Sequence, residues 1–169
     1  MTTPESATAA DNPKLSAEEV GKRFLKLIEG LESKSSLSLK LVQDAMGMKL
    51  SSVPGDPNHL VSEATVAPGW SYVVGYIEAT PSIDKATFLE FRNAEARFSD
   101  MTAICSVDFD YYHNALKSMG FRDSPMHGEI GQLESWRYYK GDITLSITQQ
   151  NVVPGKAGRL CVKSISTLN

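Results

Sequence analysis

An α+β fold built from two similar halves is the fold class that this sequence predicts. Amphipathic helical patterns open each half of the chain, and runs of alternating apolar and polar residues, typical of strands, follow them. Landmarks also recur at a nearly constant offset: Gly47 and Gly120, Pro68-Gly69 and Lys140-Gly141, and Phe88-Leu89 and Leu160-Cys161. We therefore expect two tandem helix–helix–antiparallel-sheet units, with the helices on one face of the sheet and the other face open.

The predicted boundaries follow from composition and from the repeat. Residues 1–15 are small and polar and lack an apolar period, which predicts a disordered tail. Residues 16–93 form the first predicted ααβββ unit, and residues 94–169 form the second. We expect both units to pack as one compact body.

The first unit opens with a helix that Ser16 should cap, because Glu19 follows three residues later as in a capping box. A second helix is predicted at roughly 37–46, and Gly47 should end it. A short strand, a hairpin turning at Pro68-Gly69 and the strand KATFLEFRN complete the unit.

The second unit is predicted to follow the same order. The segment RNAEARFSDMTAIC can form a short helix, and DFDYYHNALKSMG is typical of a helix that ends at Gly120. A hairpin around Lys140-Gly141 and the closing strand GRLCVKSIST follow.

Strand pairing assigns the residues of each hairpin to a face. With Ala67 opposite Trp70 and Ala64 opposite Val73, an aliphatic set faces the helices, and it comprises Leu60, Ala64, Val66, Val73 and Ile77. The outward set is then Val61, Glu63, Thr65, Trp70, Tyr72, Tyr76 and Glu78. In the second hairpin Arg137 and Tyr139 face outward with Thr144, Ser146, Thr148 and Gln150, and Trp136 and Tyr138 face inward with Ile143, Leu145 and Ile147. A one-residue bulge at Lys140-Gly141 would reverse the facing of 132–139, so that alternative stays open.

An uncovered sheet face that carries Trp, Tyr and Arg has the composition of a protein-binding surface. Ordinary packing is the competing explanation for each aromatic residue taken singly. The predicted partner-binding residues are Trp70, Tyr72, Tyr76, Glu63, Glu78, Arg137 and Tyr139.

Charge and composition exclude several classes of partner. The net charge is −3 and the pI is about 5.6, which argues against a nucleic-acid binder. No apolar run is long enough to span a membrane, and no signal-peptide pattern is present. Cys105 and Cys161 lack a metal spacing, so we expect free thiols and a cytoplasmic protein.

Motifs that carry catalysis are missing from the sequence. His59, His113 and His127 share no metal-ligand spacing, and Cys161 lies in a predicted strand without an obvious His-Asp partner. No Gly-rich phosphate loop and no nucleophile elbow occurs. We therefore predict no catalytic residue, no metal and no cofactor, and a protein that is not an enzyme.

In chain length, repeat period and element order, residues 16–167 resemble the β-lactamase inhibitor proteins. That resemblance implies an open, aromatic-rich sheet that clasps an enzyme. The chain departs from the family in lacking a secretion signal and a predicted disulfide within each repeat. Its small size and acidic charge also resemble the bacterial immunity proteins, which implies an enzyme or toxin as partner. Self-association through a free sheet edge stays open.

Two alternatives remain. The segment SVDFDYYHNALKSMGF is similar to one module of the vicinal oxygen chelate (glyoxalase-like) superfamily, which implies a small-molecule enzyme or binding protein. The small acidic chain is also similar to the secretion chaperones of bacterial effectors, although those usually finish on a helix and this chain finishes on a predicted strand.

Overall fold

The computed structural model describes residues 12–95 and 99–168. Residues 1–11 of the predicted tail and residues 96–98 of the predicted short helix therefore lie outside the described residues.

Three α-helices and one eight-stranded antiparallel sheet make up the described chain, which confirms the α+β class. The helices are α1 (Ala17–Glu29), α2 (Leu39–Met46) and α3 (Phe109–Ser118), with short 3-10 turns at Lys34–Ser36 and Thr102–Ile104. The strands are β1 (Ser51–Val53), β2 (Asp56–Ala67), β3 (Trp70–Ile77), β4 (Ala86–Asn93), β5 (Arg122–His127), β6 (Leu133–Lys140), β7 (Ile143–Asn151) and β8 (Leu160–Leu168).

The predicted helix ends at Ser16 and Gly47 are confirmed, whereas α3 ends at Ser118 and not at Gly120. The Ser16 hydroxyl accepts a hydrogen bond from the Glu19 amide at 3.1 Å, which satisfies one of the free amides at the start of α1. Asp108 caps α3 in the same way. Gly47 ends α2 with a φ of 65°, a left-handed conformation that glycine adopts without steric cost.

The sheet has the strand order β1-β2-β3-β4-β8-β7-β6-β5. The strands of the first half of the chain therefore lie side by side, and so do those of the second half. The two sets meet where β4 pairs with β8, and Leu89 lies opposite Ile165 at this junction. Both side chains are fully buried.

One buried cluster joins the helices to one face of the sheet. Phe24 of α1, Val42 of α2 and Leu116 of α3 belong to the same cluster as Leu89 and Leu145 of the sheet. This side is called the helix face below. The opposite side, reached by the alternate residues of each strand, is called the open face.

The predicted facing of the first hairpin is confirmed for β2 and wrong for β3, where Val73 and Ile77 lie on the open face. The register shifts between Thr65 and Ala67, so Ala64 lies opposite Tyr72 and Glu63 lies opposite Val73. This bulge turns Trp70, Tyr72 and Tyr76 toward the helices, where they are 4%, 0% and 1% exposed. One extra residue exchanges the two faces of a strand because side chains alternate with a period of two.

The predicted facing of the second hairpin is confirmed. Trp136 pairs with Ile147 and Tyr138 pairs with Leu145, and all four residues belong to the buried cluster or pack against it. The turn is a two-residue loop between Lys140 and Ile143, with no register shift along β6 and β7.

Two elements of the second half differ from prediction. The segment expected as a short helix forms only the 3-10 turn Thr102–Ile104 in its described part. The strand β5, which the sequence analysis did not predict, pairs with β6 and lies at the edge of the sheet. Pro125 lies within it, a residue that edge strands tolerate because their outer amides need no partner.

The prediction of free thiols is also wrong, because Cys105 and Cys161 form a disulfide. Their Cα atoms are 5.7 Å apart, within the usual range for a disulfide. The bond ties the segment before α3 to β8. Arg159 reinforces the same connection by donating to the Cys105 carbonyl and to the Asp108 carboxylate.

Candidate protein-binding face

The open face is built by alternate residues of all eight strands, and cross-strand partners share it. The register assigns to it the following residues of β2 to β8: His59, Val61, Glu63, Thr65, Ser71, Val73, Gly75, Ile77, Ala86, Phe88, Glu90, Arg92, Ser164, Ser166, Thr144, Ser146, Thr148, Arg137, Tyr139, Arg122 and Ser124. None of the described helices belongs to this side.

An aromatic ring covers the backbone on the first half of the open face. Phe88 of β4 lies opposite Gly75 of β3, and a Cβ at Gly75 would come within 2.2 Å of the Phe88 ring. Glycine at this position therefore lets the ring lie flat against β3. The His59 ring contacts Phe88 edge-on, with 5.9 Å between the ring centroids.

Charges on this half of the open face are internally satisfied. Glu90 pairs with Arg92 at 3.2 Å, and Glu63 accepts a hydrogen bond from the Ser71 hydroxyl at 3.2 Å. Val73 lies between Glu63 and Glu90 in the strand register. This half therefore combines apolar side chains with paired or hydrogen-bonded carboxylates, while the buried Nε2 of His59 has no hydrogen-bond partner among the described residues.

Small hydroxyl side chains line the middle of the open face, on β7 and β8. Ser146 lies opposite Ser166, and Thr148 lies opposite Ser164. Beside them a cleft of about 360 Å³ is lined by Glu90, Arg92, Asn93, Thr148, Gln149, Gln150, Lys163 and Ser164. The middle of the sheet thus offers hydrogen-bonding groups with little side-chain bulk.

The second half of the open face carries Arg137 and Tyr139 of β6 and Arg122 of β5. Both arginines are exposed, and Tyr139 is half-buried beside them. Tyr139 lies directly opposite Arg122, and Ser124 lies opposite Arg137. Arginine and tyrosine are the residue types that most often dominate the binding energy of interfaces.

The structure divides the predicted partner-binding residues into two groups. Glu63, Arg137 and Tyr139 lie on the open face as expected. Trp70, Tyr72 and Tyr76 lie under the helices, so they are removed from the candidate surface. Glu78 follows the end of β3 and accepts a hydrogen bond from the Tyr76 hydroxyl at 3.0 Å.

Of the buried aromatic residues, Trp70 and Tyr76 have polar partners, whereas the Tyr72 hydroxyl is buried without a hydrogen-bond partner among the described residues. Trp70 donates its indole N–H to the Asp100 carbonyl at 3.2 Å, and Lys163 lies over its ring. Burial raises the pKa of the Tyr72 hydroxyl. These contacts anchor β3 within the helix face.

Several residues of the open face were not assigned to it from the sequence, and Arg122 and Phe88 are among them. Arg122 lies on β5, whose sequence RDSPMH is too polar and too interrupted by Pro125 to read as a strand. Phe88 lies on a strand that was predicted, but its face was not assigned. Along β4, Thr87, Leu89 and Phe91 alternate with Phe88 and Glu90. This alternation could have assigned Phe88 to the open face.

A second aromatic group lies under α3, on the helix face. His113 Nδ1 and the Tyr138 hydroxyl are 2.8 Å apart, and the His113 ring contacts Trp136 and Phe109. Burial, together with the Asp123 carboxylate, raises the pKa of Tyr138 far above its usual value. The group fills the space between α3 and β6, and its members are core or half-buried residues.

Metal-ligand clusters and membrane-spanning helices are absent from the described residues. Among the residues that the structure describes, no group of three or more His, Cys, Asp or Glu side chains could hold a metal ion. No described helix is both long and apolar enough to cross a membrane. No family model, curated protein or solved structure matches the chain.

Proposed function

We propose that this chain is a non-enzymatic protein-binding module of the immunity or inhibitor type, which binds and neutralises a partner enzyme or toxin through the open face. The observation that supports this most directly is that exposed Arg137 and half-buried Tyr139 lie on a sheet face that none of the described helices covers. Residues of these types form the energetic centre of many interfaces.

The size of the open face suits this role. Eight strands at a spacing of about 4.8 Å span roughly 34 Å, and three rows of side chains extend roughly 20 Å along the strands. The resulting footprint of roughly 700 Å² approaches the ~800 Å² that each partner contributes to a standard interface. The hydroxyl-rich middle of the face lets a partner approach the backbone closely.

We further propose that the chain consists of two tandem units, as in the β-lactamase inhibitor architecture. The strand order supports this, because β1-β2-β3-β4 and β5-β6-β7-β8 each run in chain order from one edge of the sheet to the β4–β8 junction. The helix that precedes each set of strands supports it as well. The chain was expected to differ from that family in having no disulfide within either repeat. Because the disulfide lies within the second unit, this difference remains only for the first unit.

The disulfide also bears on where the protein acts. Disulfides persist in oxidising compartments and are rare in the cytosol. The cytoplasmic location was predicted in part because free thiols were expected. The disulfide removes that argument. We propose instead that the chain meets its partner in an oxidising compartment.

Bulky substitutions in the middle of the open face test the proposed function. Ser146→Trp should block a partner from the sheet, whereas Ser118→Trp, an exposed position on α3, should not. Immobilised wild-type and variant chains are exposed to a native lysate, retained proteins are identified by mass spectrometry, and the activity of the retained enzyme or toxin is assayed with each chain. Circular dichroism establishes that both variants fold.

The expected result is a protein that is retained and inhibited by the wild type and by Ser118→Trp, but by Ser146→Trp neither retained nor inhibited. Equal retention by all three chains would show that binding does not use the open face. Retention without any effect on the partner's activity would contradict the inhibitor role.

A further inference from the structure

Two arginines on the open face have no charged partner. The guanidinium groups of Arg122 and Arg137 are exposed and form no ion pair or hydrogen bond with the described residues. Each of the other described arginines bonds a carboxylate: Arg23 with Glu19, Arg92 with Glu90, and Arg159 with Asp108. Arg122 and Arg137 therefore differ from the other described arginines in having no carboxylate partner.

The strand register brings these arginines together. Arg122 lies opposite Tyr139, and Arg137 lies two residue pairs further along, opposite Ser124, in the next pair on the same face. Such diagonal neighbours are about 7–8 Å apart, within reach of long side chains. Tyr139, Ser124 and Ser146 adjoin the pair and supply hydroxyl groups.

Among the described residues of β5 to β8, no side-chain carboxylate faces this part of the sheet. The strands β5 to β8 contain only two acidic residues, Asp123 and Glu134. Asp123 lies opposite Tyr138 on the helix face, where it pairs with Lys117. Glu134 lies two residues before Trp136, which also faces the helices.

We propose that Arg122 and Arg137, with Tyr139 between them, form a subsite for an acidic segment of the protein partner, a loop or strand that carries at least two Asp or Glu side chains. This inference rests on the proposed function and specifies the partner's chemistry. Each guanidinium can bind one carboxylate through two parallel hydrogen bonds, and the hydroxyl groups can donate to the remaining oxygens.

The charge distribution favours a local acidic segment over an extended polyanion. The chain as a whole carries a net charge of −3, so a nucleic acid would be repelled beyond this small patch. A short loop with two carboxylates would contact only the two arginines and would not extend over the acidic remainder of the surface. The apolar and charge-paired first half of the open face can then contact the rest of the partner.

A labelled peptide of alternating Glu and Gly tests the subsite, with a Gln-Gly peptide of equal length as its neutral control. Side-chain Nε–Hε signals of the arginines are followed by NMR during titration, and affinities are measured by fluorescence anisotropy. The Glu peptide should shift the signals of Arg122 and Arg137, and the Gln peptide should not. The R122Q/R137Q double variant should lose at least about tenfold in affinity.

The matched control is R92Q, which removes an exposed but ion-paired arginine from the same face and should change the affinity less than about twofold. Absence of peptide binding, or equal binding by R122Q/R137Q, would overturn the inference. Tighter binding of a single-stranded DNA octamer than of the Glu peptide at the same arginines would also overturn it, because the subsite would then select phosphate.

The lysate experiment separates this inference from the proposed function. Loss of partner retention by both Ser146→Trp and R122Q/R137Q supports the two together. If Ser146→Trp blocks retention and R122Q/R137Q retains the partner like the wild type, the open face binds the partner but the acidic-segment subsite is wrong. If neither variant changes retention, the proposed function fails.

Discussion

Tyr72 and Tyr139 are both strand tyrosines, yet they lie on opposite sides of the sheet. Tyr72 is fully buried within the helix face, whereas Tyr139 is half-buried on the open face beside Arg122. Of these two tyrosines, the one in the first half of the chain therefore packs in the core, and the one in the second half lies on the open face. Substitution of each tyrosine should separate these roles.

We expect Tyr72→Ala to lower the free energy of unfolding by about 3–5 kcal/mol, as for large aromatic residues removed from a core. Tyr139→Ala, the matched control, should lower it by no more than about 1 kcal/mol. Chemical denaturation followed by circular dichroism measures both. Equal losses at the two positions would contradict the assignment of the faces.

Tyr76 predicts a pH dependence at high pH. Burial, together with the hydrogen bond to Glu78, raises the pKa of its hydroxyl from 10.0 to about 12. Between these pH values the unfolded chain releases the proton while the folded chain holds it, so the stability present below pH 10 falls as the pH rises. Tyr76→Phe should lessen the steepness of this fall in denaturation series between pH 9 and 12. An unchanged slope would contradict the prediction.

At the scale of elements, α1 and α3 approach each other at a single glycine. A Cβ at Gly21 would lie 2.2 Å from the hydroxyl oxygen of Tyr112, which is buried in the core of the helix face. Helix propensity favours alanine over glycine by about 1 kcal/mol, so propensity and packing oppose each other here.

We expect packing to prevail, with Gly21→Ala destabilising the protein by about 1–3 kcal/mol through overpacking. Tyr112→Phe removes the obstructing oxygen, so the double variant should lose less than the sum of the single variants in thermal or chemical denaturation. Gly30→Ala is the control, because its Cβ would have no neighbour closer than 3.6 Å. Strict additivity would contradict the contact.

The disulfide is the second link between elements. We expect neither cysteine of the denatured, unreduced protein to react with iodoacetamide, and both to react after reduction, which intact-mass measurement resolves. Replacing Cys105 and Cys161 by serine should cost about 2–5 kcal/mol of stability. Two alkylated cysteines without reductant would show that the pair is open.

The two halves of the whole molecule share one core. A single buried cluster extends from Phe24 and Tyr72 to Tyr138 and Ile147, across the pair Leu89 and Ile165 at the junction of β4 and β8. Such continuity favours cooperative unfolding of both halves in one transition.

Each half contains one tryptophan, so the two halves can be observed separately. Trp70→Phe leaves Trp136 of the second half as the fluorescent reporter, and Trp136→Phe leaves Trp70 of the first. In each variant we expect the fluorescence midpoint in urea to coincide with the midpoint measured by circular dichroism. A fluorescence midpoint that departs from the circular dichroism midpoint of the same variant would show that the halves unfold independently.

Several features could be predicted from the sequence alone because they depend on interactions between residues close in the chain. Ser16 and Gly47 mark helix ends because capping depends on neighbouring residues only. The facing of Arg137 and Tyr139 follows from a two-residue hairpin loop without a bulge. The α+β class follows from periodicity.

Other features required the tertiary structure. Both faces of β3 contain apolar residues, so the alternation cannot indicate which side is buried; the bulge between Thr65 and Ala67 and the apolar helices above decide it. Likewise β5 exists only because β6 offers an edge, and Cys105 meets Cys161 only because the fold brings their Cα atoms to 5.7 Å. The pair Arg122 and Arg137 depends on that same edge pairing, since contacts between distant strands are set by the whole sheet and leave no local pattern.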